Sequence, residues 1–335
     1  MFCPSPFNAL NVQGRGFIPC CPAYFTNPDD LFIGYHENLW DVWNHKKIVK
    51  LREAWLNEDS SLCKPCPILY ISNKWKNDNS PTEEMKPVMD RGPVFVRFAN
   101  DMTCNLHCWS CRVGPIIEKQ QKEIYNLTHK VLDTFHESIR LISTLGSGDP
   151  FASPSWRKIL FEMDMEKHKH LNIELFTNGL LIPKYWDQLK HMHDNIKTIK
   201  MSIDAVSPDV YERTRLGGKH KDLITALEFI SKLDKRWAIN MVVQSDNFMD
   251  IPNFIETGIR YNCSRINLTM LRYWPKMAGG KKLFNERNLA NKNHPKHDEY
   301  VKFLEKHKNI LSHPKVYCEE IFSHGQDLIE QYKTS

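Results

Sequence analysis

VFVRFANDMTCNLHCWSC, residues 94–111, decides the fold. Its opening run is rich in β-branched and aromatic side chains and reads as a strand at residues 94–99. Directly after that strand come Cys104, Cys108 and Cys111, spaced C-x3-C-x2-C. Working outward, further β-rich runs occur at residues 139–145, 172–177, 198–203, 238–244 and 265–271. Longer amphipathic runs at 116–136, 155–168, 184–193, 221–234 and 251–261 separate them, and another helix is expected over 297–311. Strands alternating with helices imply βα units and a parallel sheet. Right-handed crossovers curl such a series toward a barrel with ligand sites at the C-terminal strand ends. The expected fold class is therefore α/β, a partial (β/α)6 TIM-like barrel, preceded by a small cysteine-rich α+β module.

Three thiolates on one short loop have a chemical meaning. A [4Fe–4S] cube has four irons, so three cysteines leave the fourth iron open to a ligand. Soft thiolates select iron–sulfur clusters or zinc over hard cations. From spacing alone zinc stays open.

The cysteine loop at the end of the first strand resembles that of the radical S-adenosylmethionine (SAM) superfamily. The resemblance implies a cluster on Cys104, Cys108 and Cys111. Its open iron would chelate SAM, and reductive cleavage would give a 5′-deoxyadenosyl radical that takes a hydrogen atom from the substrate. The family often has an aromatic residue just before the third cysteine; here Ser110 stands there and the aromatic is Trp109.

Later strand ends extend the likeness over about residues 93–274. LGSGDP is similar to the family's Gly-Gly-Glu-Pro loop, implying SAM contacts at Gly146, Gly148 and Asp149, with aspartate in place of glutamate. FTNG supplies Asn178. MSIDA supplies Ser202 and Asp204, expected on one face of a strand, although a helix cap explains Asp204 equally well. YERTRLGG supplies Arg215 for the SAM carboxylate, with Arg213 as rival. VVQSDN supplies Gln244, and Asn247, toward adenosine.

Upstream lie Cys3, Cys20, Cys21, Cys63 and Cys66. With PCC, LWDVWN and CKPCP around them, they resemble the first part of the SPASM or twitch modules. That implies a second, auxiliary [4Fe–4S] cluster on Cys3, Cys21, Cys63 and Cys66, with Cys20 the alternative to Cys21. Such modules usually follow the barrel, whereas this one precedes it. A four-cysteine zinc knob is the other reading.

The domain expectation is an auxiliary module at residues 1–70, a polar, proline-bearing linker at 71–93, the barrel at 94–275 and a helical extension at 276–335. In the module, a hairpin turns at Gly14 and Gly16, with strands at 7–12 and from Phe17, and residues 38–56 read as one helix. A net charge of +5 over 335 residues is too mild for a nucleic-acid surface. No apolar run spans a membrane and no secretory signal is visible, so a cytoplasmic location is expected. In a reducing compartment ten cysteines point to metal or redox chemistry rather than disulfides. The expected enzyme oxidises or modifies a peptide or small molecule and draws electrons from an external donor such as flavodoxin or ferredoxin. The alternative is a zinc-containing binding protein without redox chemistry.

Overall fold

The computed structural model describes residues 2–14, 16–20, 25–63, 83–111, 116–144, 146–273 and 277–318. The chain divides into two compact units, one of residues 1–102, 118–148 and 154–174, the other of residues 103–117, 149–153 and 175–335.

The first unit opens with a helical turn, α1 (Ser5–Asn8), and a hairpin of β1 (Ala9–Gln13) and β2 (Gly16–Ile18). Its strands pair antiparallel from Asn11↔Ile18 to Gln13↔Gly16. Pro4 and Pro6 lack the N–H a ladder needs, so the residues expected to begin a strand at Phe7 form a helical turn first. Gly16 has φ +145, and a Cβ there would stand 2.0 Å from the Ile33 carbonyl oxygen. Only glycine lets Phe17 and Ile33 exchange backbone hydrogen bonds at 2.8 and 2.9 Å.

Next come α2 (Pro28–Leu31), α3 (Leu39–Trp43) and α4 (Lys46–Leu56). The single helix expected over 38–56 is broken at Asn44 and His45. The His45 Nδ1 accepts from Lys47 N at the start of α4, and the Asn44 side chain bonds both the N–H and the carbonyl of Met89. The unit continues with β3 (Phe95–Ala99), α5 (Gln121–Thr134), β4 (Leu141–Ser143), α6 (Pro154–Glu162) and the first half of β5 (Asn172–Thr177).

Strand order here is β2-β1-β3-β4-β5, and the β1/β3, β3/β4 and β4/β5 pairs are parallel. Register sets Leu10 beside Val96, Val12 beside Phe98, and Val96 beside Ile142, all fully buried. The hairpin of the expected 1–70 module is thus part of the β3 sheet. Residues 83–93 of the expected linker are also built in. The buried Arg52 guanidinium donates to the carbonyls of Pro6, Trp43 and Pro87 and to Asn44 Oδ1, and lies 4.3 Å from the Trp43 ring centre.

The second unit runs from the end of β5 through α7 (Ile182–Tyr185), a 3-10 segment (Trp186–Asn195), β6 (Ile196–Ser202), α8 (Pro208–Thr214), α9 (His220–Ile230), β7 (Arg236–Val243), α10 (Ile251–Arg260) and β8 (Arg265–Met270). Then follow α11 (Gly280–Arg287), α12 (His297–Lys306), α13 (Lys308–Leu311) and β9 (Val316–Tyr317). The β6/β7, β7/β8 and β8/β9 pairs are parallel. Buried rows such as Met201, Ile239 and Ile266 cross the strands in register. α10 packs closely on them, since a Cβ at Gly258 would lie 2.7 Å from Ile266. The expected helical extension therefore also carries a strand, too short to show a period of two.

The parallel α/β arrangement is the one the sequence implied. No helix among the described residues is long and apolar enough to cross a membrane.

Candidate active site

β3 ends at Ala99, and four residues later the chain enters the cysteine loop. The loop is fastened within the second unit. Cys104 N donates to the Ile116 carbonyl at 3.0 Å, His107 N to the Leu216 carbonyl at 3.1 Å, and Cys111 N to the Cys108 carbonyl at 2.9 Å. Cys104 and Cys111 are half-buried and Cys108 is buried.

N–H donors reach the sulfurs. Leu106 N lies 3.5 Å from Cys104 Sγ, Asn178 Nδ2 3.9 Å from the same atom, and Arg215 Nη1 3.5 Å from Cys108 Sγ. Burial pushes the Cys108 thiol up, and the Arg215 charge pulls the other way, while Asp204 and Cys111 add to the rise.

Arg215 is held by Asp204, whose Oδ2 lies 2.9 Å from Nε in an ion pair with the N–H off the hydrogen-bond line. Burial disfavours the charge, but Asp204 and Cys108 outweigh it and keep Arg215 protonated. Arg213 is exposed instead and donates to the Asp246 carbonyl at 3.2 Å. Asp204 lies beyond the end of β6 at φ +59, so strand alternation does not relate it to half-buried Ser202. Nor does it cap α8, whose N-cap is Ser207. Its Oδ1 accepts from Val242 N at 2.8 Å.

The Asp149 carboxylate is wholly engaged. Oδ1 accepts from Phe151 N and Ala152 N, and Oδ2 from Thr177 Oγ1 at 2.7 Å and Asn178 N at 2.8 Å. It fastens the end of β5. Asn178 Nδ2 donates to Asn105 Oδ1 at 2.8 Å, steadying the cysteine loop. Asn247 is likewise committed: Nδ2 donates to the Asp204 and Val242 carbonyls, and Oδ1 accepts from Gln244 N. Gln244 differs, being fully buried with neither amide atom hydrogen-bonded. Leaving such a group unpaired costs about 1–3 kcal/mol.

In the first unit, Gly146 N donates to the Phe98 carbonyl, and a Cβ at Gly146 would meet nothing within 4 Å. Gly148 is half-buried. Of the upstream cysteines, Cys3 is buried and its thiol is pushed up by burial against hydrogen bonds with Ser5. Cys63 pairs with Phe25 in an antiparallel bridge and Cys20 is half-buried. Cys21 and Cys66 lie outside the described residues.

The sequence reading missed two features. The Asp204–Arg215 pair joins residues eleven apart with no helical or strand period to announce it. The buried His107 Nδ1 has no partner and stands 3.4 Å from where a Cβ on Gly217 would be.

The donor set fits a [4Fe–4S] cluster: three thiols on one loop, two of them receiving N–H groups, as cluster sulfurs do. Among the described residues no three His, Cys, Asp or Glu side chains converge on one metal ion. Ligands of a cube bind separate irons and need no common point.

Comparison with known proteins matches residues 102–257 to the Radical SAM superfamily. The chain is 31% identical over 159 residues to a GTP 3′,8-cyclase of Alkaliphilus metalliredigens, covering 44% of this chain and 45% of that protein. It is 28% identical over 155 residues to the GTP 3′,8-cyclase of Alkaliphilus oremlandii, with the same coverage. The matches span a little under half the length of these relatives. Among solved structures it is similar to Streptococcus suis SuiB, at TM-score 0.49 and 16% identity over 92% of this chain and 69% of that one. The stretch that carries the cysteine loop, residues 102–257, is therefore similar to the Radical SAM superfamily.

Proposed function

We propose that the protein is a radical SAM enzyme that reductively cleaves SAM and abstracts a hydrogen atom from a peptide or small-molecule substrate, in a net oxidation or modification. When bound, the cluster and SAM supply the 5′-deoxyadenosyl radical. The observation that carries the reading is the cysteine loop after β3, whose Cys108 sulfur is met by the buried Arg215–Asp204 pair.

Cys104, Cys108 and Cys111 are the cluster ligands in this reading. Gly146 and Gly148 offer backbone to SAM, Asn178 orients the loop, and Ser202 and Gln244 supply polar contacts. Arg215 brings a fixed cation, and Asp149 and Asp204 act as positioners. Cys3, Cys21 or Cys20, Cys63 and Cys66 hold an auxiliary [4Fe–4S] cluster, and its electron capacity suits an oxidation. The strands close as a partial (β/α)6 barrel, and a flavodoxin or ferredoxin supplies electrons.

The test is reductive SAM cleavage by the anaerobically reconstituted chain, read as 5′-deoxyadenosine. Cys104→Ala, Cys108→Ala and Cys111→Ala each abolish it while circular dichroism stays that of the folded protein. Undiminished cleavage by these variants removes the site assignment, and zinc in place of iron favours a binding protein.

A further inference from the structure

Cys108 is the most deeply placed of the three loop cysteines, at 5% exposure, and its sulfur is met by a cation. Arg215 Nη1 donates to Cys108 Sγ at 3.5 Å. The guanidinium cannot drift, because its Nε is paired with Asp204 Oδ2 at 2.9 Å and the Arg215 and Asp204 side chains are only 11% and 2% exposed. Asp204 is fixed in turn by β7. Val242 N donates to its Oδ1 at 2.8 Å, and Asn247, itself bonded to the Val242 carbonyl, donates to its backbone oxygen at 2.8 Å. Its left-handed φ of +59 is a conformation that this surrounding network must hold in place.

A rigid line thus runs from the β7 backbone through Asp204 and Arg215 to one sulfur of the loop. Hydrogen bonds and positive charge at a ligand sulfur stabilise the reduced, more negative cluster and so raise its reduction potential. Low dielectric around the pair leaves little solvent screening. The planar guanidinium fork suits this task, as it can face a carboxylate and a sulfur at once from fixed angles.

We propose that Arg215, held by Asp204, is a positioning residue that sets the cluster's reduction potential through the Cys108 sulfur. This is separate from gripping the SAM carboxylate, and it rests on the reading that Cys108 ligates the cluster. No bond is made or broken in the step; one electron from the external donor enters the cluster, and the fixed cation lowers its energy there.

The experiment is an EPR-monitored redox titration of the reconstituted full chain without SAM, so that any carboxylate grip is silent. Arg215→Gln is expected to shift the midpoint potential to more negative values. Arg215→Lys keeps the charge but not the fork and is expected to shift it less in the same direction. Exposed Arg213→Gln, two residues away, is expected to leave it unchanged. An unshifted potential in both Arg215 variants overturns the proposal, as does an equal shift from Arg213→Gln. If Arg215→Gln fails to take up the cluster, Arg215→Lys against wild type decides by the same criterion. A wild-type chain with no four-iron signal overturns the functional reading itself, and this inference with it.

Discussion

At the residue scale, the acidic side chains near the cysteine loop serve geometry. Asp149 accepts four hydrogen bonds, and an asparagine there would turn an N–H₂ toward the Asn178 N–H, setting donor against donor. Asp149→Asn is expected to lower stability at neutral pH by about 1–3 kcal/mol, the cost of a buried unsatisfied group. Burial is the leading influence on Asp149 and pushes its carboxyl above its ordinary value, with the hydrogen bonds from Thr177, Asn178, Phe151 and Ala152 opposing. A raised folded-state pKa means the folded state binds the proton more tightly. The stability from this group is then fully present below the unfolded value, about 3.9, and is lost as pH rises through the folded one. The wild type's advantage over Asp149→Asn should accordingly widen on acidification, as read by urea unfolding at a series of pH values. A gap that narrows toward acid would mean that the hydrogen bonds outweigh burial.

At the element scale, α10 approaches the sheet closely enough that one methyl group matters. A Cβ on Gly258 would stand 2.7 Å from Ile266 and 2.9 Å from Ile239, whose side chains belong to a filled row. Gly258→Ala is expected to cost about 1–3 kcal/mol by overpacking, against the small helix-propensity gain alanine brings elsewhere. Thermal unfolding checks it, and an unchanged or raised midpoint would show that the row can yield. What the sequence made legible here is what local pattern encodes. β5 falls on its expected residues 172–177, and β3 and β8 within one residue of theirs, because each is a β-rich run between turn signals. The loop cysteines were legible for the same reason, as they follow a strand directly. Asp204 and Arg215 were each singled out, but not their pairing, since that depends on a left-handed backbone step past the end of β6. The break between α3 and α4 was hidden because Asn44 answers to Met89, forty-five residues on.

At the scale of the whole molecule, long-range pairing is what the sequence left open. β1 reads as half of a local hairpin, and nothing near it announces that Leu10 will lie beside Val96 across the polar stretch between them. That pairing, with the Arg52 contacts to Pro6 and Pro87, makes the cysteine-bearing N-terminal segment and β3 one compact unit. An auxiliary cluster on the N-terminal cysteines would belong to that unit. The prediction is about eight irons and eight acid-labile sulfides per chain after anaerobic reconstitution, two cubes' worth. Cys3→Ala and Cys63→Ala should each lower this to about four and leave SAM binding in place, while Cys108→Ala should also remove one cube but abolish cleavage. Metal analysis beside a 5′-deoxyadenosine assay separates these cases. Four irons in the wild type, unchanged by Cys3→Ala or Cys63→Ala, would confine iron–sulfur chemistry to the loop. Zinc bound by the N-terminal cysteines would make their segment a structural clasp, leaving the electron released by substrate oxidation to return through the loop cluster or to an external acceptor.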